Sequence, residues 1–218
     1  MKNKTLGILI VFLTLYSCKS SEKIDTETTL PFFNSAEFTP EWIAEDSEEY
    51  ANIHSIPDFE FTNQNGKKIT KETYKDKIYV VDFFFTSCPG ICPRLAKNMG
   101  KLQEAFKDDK EVLLLSHSVT PVKDSVSVLK SYAIENNVNA SKWNLVTGDR
   151  DQIYKLARTA YFADEDFVKT QDESAFIHTE NFILIDKKGR IRGVYNGTLA
   201  VETERILRHI LLLKKETK

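Results

Sequence analysis

The 218-residue sequence predicts an α/β fold, in which the strands of a sheet alternate with helices. From Ile53 onward, short apolar runs alternate with segments whose apolar residues recur at helical spacing, which is the pattern of such a domain. The run from Ile78 to Phe85 has no period-two alternation, which is typical of a central strand buried on both faces. The roughly 170 residues from Ala51 onward are enough for one domain with a full hydrophobic core.

The first predicted elements are a hairpin, the central strand and a helix. Pro57 to Thr62 and the residues around Ile69 are predicted strands, because Asn65-Gly66 between them is a favoured hairpin turn. A helix is predicted over 93–107, since Pro93 is well suited to the first helical turn. Its buried stripe is Leu95, Met99, Leu102 and Phe106.

The later elements continue the alternation. Val112 to Val119 is a second apolar run, and Asp124 is the predicted N-cap of the helix that follows. A short strand near Trp143 to Val146 precedes another helix. The chain closes with a predicted hairpin and a helix. The residues that carry these elements are Ile153, Leu156, Ala157 and Ala160 for the earlier helix, Phe182 to Asp186 and Ile191 to Tyr195 for the hairpin, and Ile206, Leu207, Ile210 and Leu211 for the last helix.

The N-terminal part of the chain predicts export and a membrane anchor. Residues 1–18 are a predicted signal peptide, with an early positive charge and an apolar core too short to span a bilayer stably. This segment ends in Leu-Tyr-Ser-Cys, which resembles a bacterial lipobox and makes Cys18 the predicted lipidation site, although Tyr16 is bulkier than usual there. An unmodified Cys18 is the alternative. The domain would then lie in the cell envelope, outside the cytoplasm.

Residues 19–50 are predicted to be a linker and docking segment, and residues 51–218 the folded domain. Lys19 to Thr29 is nearly free of apolar residues, so it cannot bury enough surface to order itself. Pro31 to Tyr50 mixes aromatic and acidic residues and is expected to dock loosely on the domain. The formal net charge of −2 does not indicate a nucleic-acid partner.

Cys88 and Cys92 are the most informative pair of residues, because they directly follow the predicted central strand. Two thiols at this spacing can close a small disulfide or hold one soft metal ion. At a helix N-terminus, the orphan N–H groups stabilise a thiolate and lower the pKa of the thiol. A purely structural disulfide is the alternative, although so short a loop adds little stability.

A strand that leads into a two-cysteine loop at a helix start, followed by a βαβ unit, a hairpin and a helix, resembles the thioredoxin fold. Asp82 lies six residues before Cys88, as does the buried carboxylate of thioredoxins. The resemblance implies a central mixed sheet flanked by helices, with the N-terminal hairpin as an extension. Three residues rather than two separate the cysteines, and His178-Thr179-Glu180-Asn181 lacks the proline of thioredoxins.

In both of these respects the sequence resembles the Sco/SenC family of membrane-tethered proteins, which help to assemble the copper centres of cytochrome c oxidase. Three blocks carry the resemblance over about residues 53–213. They are Val81 to Pro93 with the two cysteines, Ser118 to Asp124, and His178 before Phe182 to Asp186. The family resemblance implies that Cys88, Cys92 and His178 bind copper, as Cu(I) and Cu(II). It implies a copper-receiving oxidase subunit or other cuproprotein, and thiol–disulfide exchange partners.

Alternatives remain at the level of sequence. The resemblance implies a metallochaperone rather than an enzyme, with reduction of the target's cysteines by a thiol–disulfide oxidoreductase as the second hypothesis. Structural zinc would need a fourth donor, and His117, which is expected on the face of the site, is the candidate. Asp82 is either a structural acid or a group that tunes deprotonation of the redox-active pair.

Overall fold

The computed structural model describes residues 28–172 and 175–216 of the chain. These residues form a seven-stranded sheet with helices on both faces. The strands are β1 (Glu60–Asn63), β2 (Lys68–Thr70), β3 (Ile78–Phe84), β4 (Val112–Ser118), β5 (Trp143–Thr147), β6 (Asn181–Ile185) and β7 (Ile191–Asn196). The helices are α1 (Cys92–Ala105), α2 (Val126–Glu135), α3 (Arg150–Thr159), α4 (Glu165–Thr170) and α5 (Ala200–Glu216).

The strand order β2-β1-β5-β4-β3-β6-β7 places β3 inside the sheet. β3 pairs in parallel with β4, and the register sets Asp82 beside Ser116 and Phe83 beside His117. β3 also pairs antiparallel with β6, so the sheet is mixed, as predicted. Because the carboxyl ends of β3 and β4 meet at one edge of the sheet, the loops that follow these strands lie side by side.

The two faces of the sheet carry separate cores. On one face, Val80 and Phe84 of β3 pack with residues of α1, α2 and α5. On the other face, Val81 and Phe83 pack with residues of α3 and β1. This division follows from the alternation of side chains along a strand, and it decides which polar residues of β3 and β4 can meet.

The N-terminal segment, residues 28–50, docks at the end of the sheet where β3 begins. The Arg192 guanidinium donates to the carbonyl oxygens of Leu30 and Pro31, at 2.5 and 3.0 Å, and pairs with Glu216 at 2.8 Å. Phe32 forms a backbone bridge with a residue further along the same segment and lies under Arg192, at 4.1 Å. These contacts are more extensive than loose docking.

Several predicted elements agree with the structure, and three details differ. β1 and β2 form the expected hairpin, with Gly66 at φ +72°, a conformation that glycine adopts without strain. α1 begins at Cys92, one residue before the predicted start. The predicted N-cap Asp124 is wrong, because Ser125 caps α2 by accepting a hydrogen bond from the Val128 N–H at 3.4 Å. The short helix α4 was not predicted.

Candidate metal and dithiol site

The two thiols lie where the chain passes from β3 into α1. Cys88 is in the connecting loop and is half-buried, whereas Cys92 is the first residue of α1 and is only 4% exposed. Both are free thiols in this structure. Pro93 occupies the first turn of the helix, where its missing N–H costs nothing. One loop therefore holds an accessible thiol and a buried one.

The surroundings of the two thiols move their pKa values in opposite directions. Partial burial raises the pKa of Cys88, but hydrogen bonds from the backbone of residues 90–92 and from the Cys92 thiol outweigh it, so the pKa lies below its ordinary value. Burial raises the pKa of Cys92 to about 12, and the charges of Cys88 and Asp82 add to the rise. Cys88 is therefore the thiol that ionises first, while Cys92 keeps its proton at neutral pH.

Asp82 is a buried carboxyl group on the strand that leads to the thiols. It is 2% exposed, and burial raises its pKa to about 7 against an opposing hydrogen bond from Ser116. The Ser116 hydroxyl in turn accepts a hydrogen bond from Trp143 Nε1 at 2.7 Å, which leaves the hydroxyl proton for Asp82. Asp82 therefore changes charge near neutral pH, and it is close enough to Cys92 to influence the pKa of that thiol.

A second buried carboxylate, Asp124, connects the cysteine loop to the loop after β4. Its oxygens accept hydrogen bonds from the hydroxyl groups of Ser118 at 2.6 Å and Thr120 at 2.9 Å. They also accept from the Thr86 hydroxyl at 2.6 Å and from the Thr86 N–H at 3.2 Å. Because Thr86 lies two residues before Cys88, Asp124 fixes the start of the cysteine loop.

This positioning role of Asp124 was missed in the sequence. The run of hydroxyl residues between Ser118 and Asp124 was the available signal, because a buried carboxylate needs several donors. The same run is also typical of a turn that starts a helix, which favours the prediction of a helix cap at Asp124. Only the side-by-side placement of the two loops distinguishes the two roles.

His178 lies in the segment that leads into β6, at the same end of the sheet as the thiols. The ring of Phe176 packs edge-on against Phe85, with 5.3 Å between centroids, and Ile177 is buried, so this segment lies beside the end of β3. The imidazole of His178 itself is exposed. Across residues 28–172 and 175–216, no three His, Cys, Asp or Glu side chains are grouped closely enough to hold a metal ion. His178 is thus near the dithiol loop but not gathered with the thiols in this structure.

His117 lies on the face of the sheet that α3 covers, away from the thiols, and this corrects the expectation for it. It is fully buried among the rings of Phe59, Phe61, Phe83 and Tyr161, with centroid separations of 5.2 to 6.1 Å. Neither ring nitrogen has a hydrogen-bond partner in the described chain, and burial lowers the pKa to about 3. His117 is therefore a neutral core residue and not a fourth donor for the thiols.

Cys18 and the predicted signal peptide lie outside the described residues. Of the helices within the part that the structure describes, none has the length and apolar character needed to cross a membrane.

The donor set of the dithiol loop has the chemistry of a copper site. Thiolates are soft ligands that select Cu(I), and an imidazole suits either oxidation state of copper. Cys88 is accessible and has a lowered pKa, so it can offer a thiolate first. Cys92 would have to release a proton before its sulfur could bind a metal ion, which would couple metal binding to pH.

Comparison with known proteins places the chain in one group. Residues 47–213 match the family model described as SCO1/SenC. The crystal structure of a SCO1/SenC family lipoprotein from Bacillus anthracis is 32% identical, with a TM-score of 0.64 over 74% of this chain and 95% of the other. BsSco, described as a member of the Sco family of cytochrome c oxidase assembly proteins with a disulfide switch, is 26% identical, with a TM-score of 0.63 over 75% and 95% of the two chains.

A more distant structure shares the fold. The crystal structure of yeast Sco1 with copper bound is 20% identical, with a TM-score of 0.53 over 72% of this chain and 92% of that chain. At this identity the likeness shows the fold alone. Together with the two structures above, it confirms the predicted thioredoxin-like, Sco-type architecture.

Proposed function

The chain belongs to the SCO1/SenC family, and from this premise we propose that it is a membrane-tethered copper chaperone that assists assembly of the copper centre of a cytochrome c oxidase. Its ligands are Cys88, Cys92 and His178, and copper is its cargo. BsSco is described as belonging to a family of oxidase assembly proteins, and yeast Sco1 has been solved with copper bound. The proposal carries the assembly role to this chain, and copper follows from its own donors, since thiolates select Cu(I) and an imidazole suits either oxidation state.

The observation that carries the proposal is the unequal thiol pair. Cys88 is half-exposed with a lowered pKa, and Cys92 is buried with a raised pKa, in a loop at the surface of the domain. An accessible thiolate can take up copper and can later be displaced by an incoming thiolate of the recipient. The second thiol, once deprotonated, retains the ion between these events. Such a site suits transfer better than a closed structural site does.

Three-ligand binding requires His178 to join the two sulfurs. Its segment lies beside the end of β3, where Phe176 packs on Phe85, and we expect a rearrangement of this segment to bring the imidazole to the sulfurs. The exposed imidazole is not buried in an alternative role. By contrast, His54 bonds the Ala160 carbonyl oxygen at 2.8 Å, and His209 bonds the Tyr195 hydroxyl at 2.7 Å.

The test is copper binding by the purified, reduced protein. With one equivalent of Cu(II), the wild type is expected to show strong thiolate-to-copper charge transfer. Replacing His178 by Ala removes a ligand and is expected to weaken binding by at least about tenfold, a typical cost of disturbing a metal site. The matched controls His54→Ala and His209→Ala should bind as the wild type does. Equal binding by all three variants would remove His178 from the site.

A second function, thiol–disulfide exchange, is favoured by the same inequality of the thiols. The Cys88 thiolate would attack a disulfide of the target, forming a mixed disulfide and releasing one target thiolate. Cys92 would then lose its proton and attack Cys88, so that the second target thiolate leaves and the pair becomes a disulfide. Two electrons pass to the target, which regains two cysteines able to bind copper.

His178 separates the two functions. Disulfide exchange uses only the two sulfurs, so the His178→Ala variant is expected to reduce a model disulfide at close to the wild-type rate while its copper binding falls. A parallel loss of both activities would indicate that His178 supports the dithiol itself. Cys92→Ser is expected to stop the exchange at the mixed disulfide, which mass spectrometry can detect.

The tether is the third part of the proposal. Cys18 is the acylated first residue of the mature protein, which holds the domain on a membrane of the bacterial cell envelope, outside the cytoplasm. A flexible tether raises the effective concentration of copper donor and membrane-embedded recipient for one another. Mass spectrometry of the native N-terminus tests this: the expected result is a diacylated Cys18. Cleavage elsewhere, or an unmodified cysteine, would remove the anchor.

A further inference from the structure

The guanidinium of Arg158, near the end of α3, is buried beneath the segment that precedes His178. Its side chain is 7% exposed, and its Nε donates to Oδ2 of Asp164, 2.8 Å away, whose own side chain is 4% exposed. A buried ion pair of this kind is costly to form, and removal of one partner leaves an uncompensated charge. The buried pair of Arg158 and Asp164 is therefore expected to have a specific structural role.

The same guanidinium also binds the backbone that follows α4. Nη2 donates to the carbonyl oxygens of Asp172 at 3.3 Å and Ala175 at 3.0 Å. Asp164, the ion-pair partner, caps α4 by accepting the Phe167 N–H at 3.1 Å, and the Phe167 ring lies 4.4 Å from the guanidinium carbon. A planar fork with several fixed donors can satisfy one carboxylate and two carbonyl groups together, which an ammonium group cannot do with the same geometry.

From Ala175 the chain runs directly to His178. Phe176 packs on Phe85, and Ile177 is 1% exposed in the core. Thr179 is also buried, and its hydroxyl accepts the N–H of Asn181, the first residue of β6. Arg158 thus holds the beginning of a short stretch whose end is fixed by β6, and His178 is an exposed side chain within this stretch.

We infer that Arg158 is a positioning residue for His178. Held by Asp164, its guanidinium determines where the segment from Ala175 to His178 begins, and therefore whether the imidazole can reach the dithiol loop. The inference rests on the proposed copper site and adds a residue of another element to it. Arg158 acts through the backbone and does not itself contact copper.

The experiment uses the purified, reduced full chain with one equivalent of Cu(II). Arg158→Lys keeps a positive charge for Asp164 but lacks the planar fork. It is expected to retain thiolate-to-copper charge transfer and to lose the imidazole nitrogen coupling in pulsed EPR, as His178→Ala does. Copper affinity is expected to fall by about tenfold, the scale seen when a group that orients a ligand is removed.

Arg192→Lys is the matched control. Arg192 is equally buried, pairs with Asp186 and Glu216, and also donates to two backbone carbonyl groups, but it holds the N-terminal segment at the opposite end of the sheet. This variant is expected to keep both the nitrogen coupling and the copper affinity. If it lost them to the same extent as Arg158→Lys, the effect would be general destabilisation and the inference would be wrong.

A double-mutant cycle excludes a purely structural role. In the His178→Ala background, Arg158→Lys is expected to cause no further loss of affinity, because its effect passes through the imidazole. An additional tenfold loss there would overturn the inference. Asp164→Asn, which keeps an oxygen for Arg158, gives a milder form of the same test and should lower the nitrogen coupling partially. If His178→Ala itself matched the wild type in coupling and affinity, the proposed copper site would fail first, and the inference with it.

Discussion

Asp82 and His117 are buried ionisable residues on adjacent strands, and they lie on opposite faces of the sheet. Asp82 is paired with Ser116, and the next position pairs Phe83 with His117. Within the described chain, Oδ1 of Asp82 and both ring nitrogens of His117 lack hydrogen-bond partners. Burial raises the pKa of Asp82 to about 7 and lowers that of His117 to about 3, so each residue is driven toward its neutral form.

The neighbours decide what each neutral group can do. Asp82 lies close enough to Cys92 to raise the pKa of that thiol, so we expect its charge to affect the reactivity of the dithiol. His117 is enclosed by aromatic rings and has no such neighbour. A shift of one residue along a strand exchanges the two faces, and here it separates a chemical role from a packing role.

The largest expected effect is a loss of folding stability at acidic pH, which is caused by protonation of His117. Its pKa is about 3 in the folded protein and 6.5 ordinarily, so its neutral form stabilises the fold fully above pH 6.5. That contribution is lost as the pH falls toward 3, in total about 5 kcal/mol. His117→Leu is expected to remove this loss, as urea unfolding at pH 7 and pH 4 can show. If the wild type and His117→Leu lost equal stability between pH 7 and pH 4, the assigned role of His117 would be wrong.

Asp82→Asn tests the other face of the sheet, where the expected change of stability with pH has the opposite direction. The pKa of Asp82 is about 7 in the folded protein and 3.8 ordinarily, so its protonated form stabilises the fold below pH 3.8. That contribution is lost as the pH rises through 7, in total about 4 kcal/mol. Relative to the wild type, the asparagine variant of the reduced, copper-free protein should therefore gain stability between pH 4 and pH 8. A constant difference in unfolding free energy would mean that Asp82 does not titrate there.

A smaller effect is expected on the reactivity of the thiols, and only the substitution of Asp82 should cause it. Without the Asp82 charge, the pKa of Cys92 is expected to fall, so alkylation of Cys92 at pH 9 should accelerate on the order of a few-fold in Asp82→Asn. His117→Leu should leave the rate unchanged. Peptide mapping after timed alkylation measures each cysteine separately. A faster rate in both variants would show that the faces are coupled.

The smallest expected effect is that of closing the disulfide. The loop between Cys88 and Cys92 is too short for its closure to restrict the unfolded chain much, and the two cores do not depend on it. Melting temperatures of the oxidised and reduced forms should differ by less than about 4 °C, which for a domain of this size corresponds to about 1 kcal/mol. Unfolding on reduction would instead identify the pair as structural.

Local patterns predicted much of this fold. The β1–β2 hairpin follows from Asn65-Gly66, and the dithiol at the start of α1 follows from an apolar run, two cysteines and Pro93. These features are encoded within a few neighbouring residues, so the sequence displays them directly.

The remaining features depend on pairing between distant residues. The face of His117 could not be predicted, because β4 is apolar on both sides and its alternation gives no direction. The helix α4 has only six residues, and its N-cap Asp164 is held by Arg158 from another helix. Asp124 was misassigned because its partner Thr86 is far away in sequence. His178 was identified by family resemblance alone.

The N-terminal segment has a mechanical consequence. It enters the domain at Leu30, whose N–H and carbonyl oxygen are bound by Glu216 and Arg192, near Ile78 at the start of β3. The cysteines lie beyond the other end of the same strand. A pull from the N-terminal side is therefore borne by this clamp and spread into α5 and the hydrogen-bonded strands. In the proposed tethered form, tension would therefore enter the domain at the end of β3 opposite to the dithiol loop.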